Sequence, residues 1–280
     1  MTAAPLLDQD QHDVPPTHPG CKVAALLPAR TGRTWAVRDF SSSFRPAAVQ
    51  LTDGTRTLLI AFRATTEVFS HTPGMNQYLP LATLPGTEPA TVARELLRNA
   101  LPQVDQHLDS AASSLRLPGR NRARRVAALT EVHAALAALG TNADPFDRSD
   151  DLTGLDWTAA GERWRFSLHA CKTVGTLAYE GPLDGLERVL PRILPPPPAR
   201  VPRSLLTHVS GAVARRLISA WPHTLRQDED GDVQFGTHHD PCGLIYVGDA
   251  KARARDSSAV LADISRVGVD HLLTILPDLI

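Results

Sequence analysis

The chain has 280 residues, and its 29 Lys and Arg against 30 Asp and Glu give a formal net charge of -1. Apolar residues are 42% of the total and charged residues 21%, which is ordinary globular usage. That excludes a wholly disordered chain, and it excludes a polyelectrolyte drawn to nucleic acid or anionic membranes by its overall field. The length allows one large domain or two to three small ones.

Lysine stands only at Lys22, Lys172 and Lys251, so 26 of the 29 cations are arginine. With abundant Ala, Leu and Pro, this matches the codon bias of a high-GC bacterium. Cys21, Cys171 and Cys242 form an odd, scattered set without a C-x-x-C pair, which argues against a disulfide framework or a cysteine zinc site. Residues 1–20 hold no Lys or Arg and no long apolar run, so no signal peptide is expected there. Nor does any run approach the roughly 20 apolar residues that cross a bilayer. A soluble, cytoplasmic protein with no membrane partner is the expectation.

In chain order, residues 1–20 read as a flexible acidic tail. Strands are expected at 22–27, 34–40, 47–52 and 56–62, with Asp53-Gly54 as a hairpin cue between the last two. From there to Pro85-Gly86 the prolines suggest loop, with one short strand near 77–81. A helix should start at Pro89 with Thr87 as its cap, carry Val92, Leu96, Leu97 and Leu101 on one face, and end or kink at Pro102. A second helical piece reaches about residue 114. Residues 115–125 look like a junction, and a helix over 123–139 follows, with the stripe Leu129, Val132, Leu136 and Leu139 ahead of Gly140.

An acidic loop is expected across Asp144, Asp147, Asp150, Asp151 and Asp156. Strands at 163–168 and 173–179 and a helix at 183–193 come next. Pro195 to Pro198 should be an extended spacer, although such a run also suits a polyproline-binding module. In the last third, Ser204 should cap a helix carrying Leu205, Val209, Val213 and Leu217. Strands are expected at 223–226, 232–235 and 243–247. A long final helix should start at Asp256 or Ser257, with Val260, Ile264, Val267 and His271 along one face.

Leu-Pro pairs begin at 101, 190 and 276, each with an apolar residue two beyond the proline. Their spacings of 89 and 86 suggest modules of about 90 residues, each closed by a helix. The fold class is therefore α+β, with two or three similar modules of antiparallel sheet and helices packed on one face. The expected division is a tail over 1–20, a β-rich module over 21–118, a helix-strand-helix module over 119–198 ending in the polyproline linker, and a C-terminal module over 199–280.

Two clusters could carry chemistry. His238, His239 and Asp240, followed by Pro241 and Cys242, are metal-ligating types beside a predicted strand. Adjacent strand residues point to opposite faces, so His238 and His239 cannot both chelate without a bend. A polar hairpin loop with Asp240-Pro241 as turn chemistry is the plainer reading. Arg116, Arg120, Arg122, Arg124 and Arg125 could contact phosphates, but no aromatic residues interleave them for base stacking. Residues 228–232 are rich in Asp yet lack the Gly and Glu placement of a calcium loop. The common dinucleotide, phosphate-loop, nucleophile-elbow and zinc-protease motifs are absent, and no cofactor is expected.

Residues 205–247 run from an amphipathic helix through Trp221-Pro222 and the acidic hairpin at 228–235 to a short apolar strand. This resembles the small α/β domains similar to type III secretion chaperones found in actinobacteria. The resemblance covers under a third of the chain. It implies a helix paired with a curved antiparallel sheet, a role in binding other proteins, and no catalytic residues. The leading expectation is thus a non-catalytic protein-binding or chaperone-like protein, acting on another protein or on itself. Two alternatives stand beside it: a nucleic-acid-associated protein using Arg116 to Arg125, and a metal-dependent enzyme at His238, His239 and Asp240.

Overall fold

The computed structural model describes residues 14–30, 32–40, 48–71, 78–114, 118–149, 152–169, 174–195, 208–236, 241–248 and 253–280. It divides into two compact units, Met1–Ala100 and Leu101–Ile280. Each combines an antiparallel sheet with helices, so the α+β class and its repeated modules hold.

The first unit starts with helix α1 (Pro19–Leu26), where a strand was expected over 22–27. Proline at the first helical position and a side-chain cap explain the difference: His18 Nδ1 accepts the Gly20 N–H at 3.0 Å. Strands β1 (Ala36–Asp39), β2 (Ala48–Thr52), β3 (Thr57–Phe62), β4 (Thr65–His71) and β5 (Tyr78–Pro85) form a five-stranded sheet in sequential order. The stretch after Phe62 therefore contributes two strands where mostly loop was expected. Pro80 and Pro85 are tolerated because β5 is an edge strand. The unit closes with α2 (Pro89–Glu95), capped by Glu88 rather than Thr87, and a π-helical turn at Leu96–Ala100. That wide turn lies just ahead of Pro102, where it absorbs the missing N–H and the ring that an α-helix would reject.

A buried ion pair locks the β2–β3 hairpin. Asp53 accepts from the Thr55 and Arg56 N–H groups and from Arg56 Nε at 2.7 Å, and the Arg56 guanidinium lies 5.0 Å from the Trp35 ring centre. Burial alone would raise the Asp53 carboxyl, but the Arg56 charge and these donors outweigh it and hold the carboxyl below its ordinary range. The loop spans four residues, since Thr52 pairs with Thr57.

The second unit opens with α3 (Leu101–Ser114) and then repeats one order of elements twice. The first copy is α4 (Pro118–Ala138), β6 (Ala143–Ser149), β7 (Leu152–Ala159), β8 (Glu162–His169), β9 (Val174–Pro182) and α5 (Leu183–Ile193). The second is α6 (Ala212–Ala220), β10 (Leu225–Gln227), β11 (Val233–Phe235), β12 (Cys242–Tyr246), β13 (Ala259–Gly268) and α7 (Val269–Ile275). One eight-stranded antiparallel sheet runs β10-β11-β12-β13-β9-β8-β7-β6, joining the copies where β13 pairs with β9. Alternate residues of these strands and the apolar faces of α4 to α7 form one continuous core, with Trp164, Phe166 and Tyr179 at its centre.

Three expectations are corrected in this unit. The helix expected from Asp256 or Ser257 is strand β13, because Val260, Ala262 and Ile264 are buried while Ala259, Leu261 and Asp263 are exposed. A spacing of four fits the two-residue period of a strand as well as a helical turn. The acidic stretch after Gly140 is β6 and β7, whose Asp144 and Asp156 sit opposite each other and away from the core. Val209 precedes α6 instead of lying in it, and Ser204 and Leu205 fall outside the described residues, as do Pro196 to Pro198. Gly211 at φ +81° stands immediately before that helix.

A close-packed polar contact fixes β8 and β9 against α5. Buried Glu162 accepts from Arg188, and the Tyr179 hydroxyl donates to the Pro182 carbonyl at 2.5 Å. Burial, followed by the Glu162 and Asp184 charges, pushes the Tyr179 phenol well above its ordinary range. A side chain at Gly185 would strike both the Glu162 carboxylate and the Tyr179 hydroxyl.

Two outcomes follow from these contacts. Gly185→Ala is expected to cost about 1–3 kcal/mol in chemical denaturation, through overpacking against a rigid strand pair. The second outcome concerns acid. Burial holds the His18 imidazole below 6.5, against a smaller opposing pull from Asp39. The neutral cap is therefore fully formed above pH 6.5 and lost as pH falls through the lowered value. The protection factor of the Gly20 amide, its exchange rate referred to the intrinsic rate at each pH, should drop over that fall, whereas in His18→Asn, which caps without titrating, it should stay pH-independent.

Candidate functional site

The face of the eight-stranded sheet that points away from the core is a product of register. Tyr246 sits opposite Leu261, Leu261 opposite Glu180, and Glu180 opposite Arg163. The next row on the same face is Leu244, Asp263, Ala178, Arg165 and Asp156. Five strands from both copies of the module thus build one surface. Leu261 is 48% exposed and Tyr246 38% exposed, an apolar cross-strand pair facing solvent. Beside them a depression of about 190 Å³ lies over Ala178, walled by Arg163, Arg165, Glu180 and Asp263.

The charges around the depression are largely tied together. Arg165 holds Asp156 in a two-pronged contact, Nε to Oδ1 at 2.7 Å and a terminal nitrogen to Oδ2 at 3.1 Å. The Asp156 hydrogen bonds, ahead of the more distant Asp263 and Glu180 charges, raise the Arg165 guanidinium above its ordinary range. Arg163 lies 3.7 Å from Glu180. On the far side, Arg165 stacks 5.4 Å from the Phe146 ring centre. The result is an apolar patch framed by oriented charges of both signs. It offers a seat for one apolar side chain, with ion-pair partners on either side.

The residues singled out from sequence lie elsewhere. His238, His239 and Asp240 fall outside the described residues. Cys242, next to them, opens β12 as a half-buried free thiol. Among the described residues, no three His, Cys, Asp or Glu side chains gather where they could share a metal ion. Of the arginine run, Arg116 is outside the described residues, and Arg120 lies in α4 with its side chain undescribed. Arg122 is exposed and bonds Asp147 at 3.2 Å, Arg124 is half-buried, and Arg125 is only 3% exposed. Burial of Arg125 and pairing of Arg122 reduce the positive charge the run presents to solvent.

Sequence reading missed Leu261 and Asp263 because residues 259–268 looked helical. The signal was present: Val260, Ala262 and Ile264 alternate with polar or exposed neighbours, and Gly268 ends the run. Neighbouring substitutions should therefore differ sharply in cost. Leu261→Asp should change stability by no more than about 1 kcal/mol, while Ala262→Asp buries a carboxylate and should cost at least about 3 kcal/mol. Urea titration of both variants checks this; equal losses would contradict the strand placement.

No protein-family model matches this chain, and no curated protein or solved structure matches it either.

Proposed function

We propose that the chain is a non-catalytic protein-binding protein with a chaperone-like role, holding a segment of another protein on the open face of the eight-stranded sheet. The observation that carries this reading is the solvent-facing Tyr246–Leu261 pair beside the depression over Ala178. An apolar patch of this kind within a charged surface marks an interaction site more often than chance exposure. Free edges favour the face over strand addition. Pro145 interrupts edge strand β6, and edge strand β10 has three residues, both of which discourage pairing with another strand.

The charges define the partner. An apolar side chain would enter over Ala178 and Leu261, flanked by a basic residue toward exposed Asp263 and an acidic one toward Arg163. A modular helix-and-sheet build is also what the resemblance to type III secretion chaperones implies. Cys21 and Cys242 are free thiols, which supports a reducing, cytoplasmic setting within this reading. No helix among the described residues is long and apolar enough to cross a membrane.

A photo-crosslinking residue at position 261, used in extract of the native host, should yield defined protein adducts. Each adducted protein, purified, should bind the wild-type chain and lose about ten-fold or more in affinity with Leu261→Arg or Tyr246→Ala. Unchanged affinity in both variants would sink the proposal. Retention of nucleic acid that falls steeply with salt, and is lost with Arg122→Ala and Arg124→Ala, would replace it with the nucleic-acid reading.

A further inference from the structure

On the opposite side of the sheet from that face, helix α4 and the edge strands β6 and β7 leave an apolar groove of about 480 Å³. Its helical wall is Val126, Leu129 and His133, spaced as successive positions on one face of α4. Its strand wall includes Pro145, Thr153 and Leu155. Val126 is 49% exposed although it belongs to the apolar side of the groove. The volume lies within the range of small-molecule sites, and regular elements form both walls, so the cavity is pre-formed.

Two features say what would fill it. The first is Thr153, which lines the groove, is 5% exposed, and carries a buried hydroxyl without a hydrogen-bond partner. An unpaired buried hydroxyl is costly, and a ligand oxygen or N–H that bonds it, once the side chain turns to the rotamer facing the groove, removes that cost. The second is charge. Asp147 is the one carboxylate in the described lining, and it is already bonded to Arg122. The groove therefore asks for no net charge on its occupant.

We propose that this groove binds a neutral, mainly apolar small molecule bearing one hydrogen-bonding group, with that group on the Thr153 hydroxyl. The site is independent of the protein-binding face.

Two matched probes test it: 1-acetylnaphthalene, which has a carbonyl acceptor, and 1-ethylnaphthalene, which has the same ring and nearly the same size without one. Titrated into the full chain by calorimetry or NMR, both should saturate at one molecule per chain, the ketone about ten-fold tighter. Thr153→Val should erase the preference and keep the binding. Val126→Trp, at an exposed helical position that leaves the core untouched, should abolish binding of both. Leu261→Arg should change neither, which separates this site from the protein-binding face. The proposal is overturned if neither probe saturates up to its solubility limit. It is equally overturned if binding survives Val126→Trp in a variant with an unchanged melting midpoint, or if the ketone preference is missing or persists in Thr153→Val.

Discussion

Pairing of β9 with β13 is the contact on which the larger unit depends. It runs from Ala259 opposite Pro182 to Gly268 opposite Val174, and it converts two four-stranded meanders into one sheet. Each meander alone would leave its last and longest strand as an exposed edge, a template for unwanted association. Joined, each strand satisfies the other's backbone groups, and the two half-cores become one. Both strands lead directly into a closing helix, α5 or α7. Because the strands are antiparallel, those helices start at opposite ends of the shared seam.

The same seam creates the surface on the other side. Once the core face is fixed, the two-residue period of a strand assigns every alternate side chain to solvent. Leu261 and Glu180 from the two central strands come to lie between Tyr246 and Arg163 from their neighbours. These residues are far apart in the chain, and no local pattern groups them. Arg165 and Asp156 then settle much of the charge between themselves. What is left facing solvent is an apolar pair with oriented charges around it, and that residue of unsatisfied chemistry supports the binding role proposed above.

Strands with Pro or few residues at the sheet margins show a consistent treatment of edges. Pro145 in β6, Pro80 and Pro85 in β5, and the brevity of β10 all weaken a free edge as a pairing template. The prolines that obscured β5 and the aspartates that obscured β6 and β7 in the sequence are there for the same physical reason. They occupy edge or solvent-facing positions, where backbone donors are not needed and charge is solvated.

The sequence by itself determined the α+β class, the helix at 183–193 and the strands on either side of Asp53-Gly54 and of the acidic turn at 228–232. Each of these rests on local signals: turn chemistry, caps, and a run of apolar residues with a single reading. Only the tertiary structure decided the remainder. Val260, Ile264 and Val267 fit a helix as well as a strand until β9, some eighty residues earlier, supplies the backbone partners that make the strand the lower-energy choice. Residues 19–26 carry both helix and strand formers, and a single cap by His18 with Pro19 tips them to helix. Both the open face and the α4 groove are made by residues that no stretch of sequence holds together, because register and layer packing are non-local and a one-residue period cannot report them.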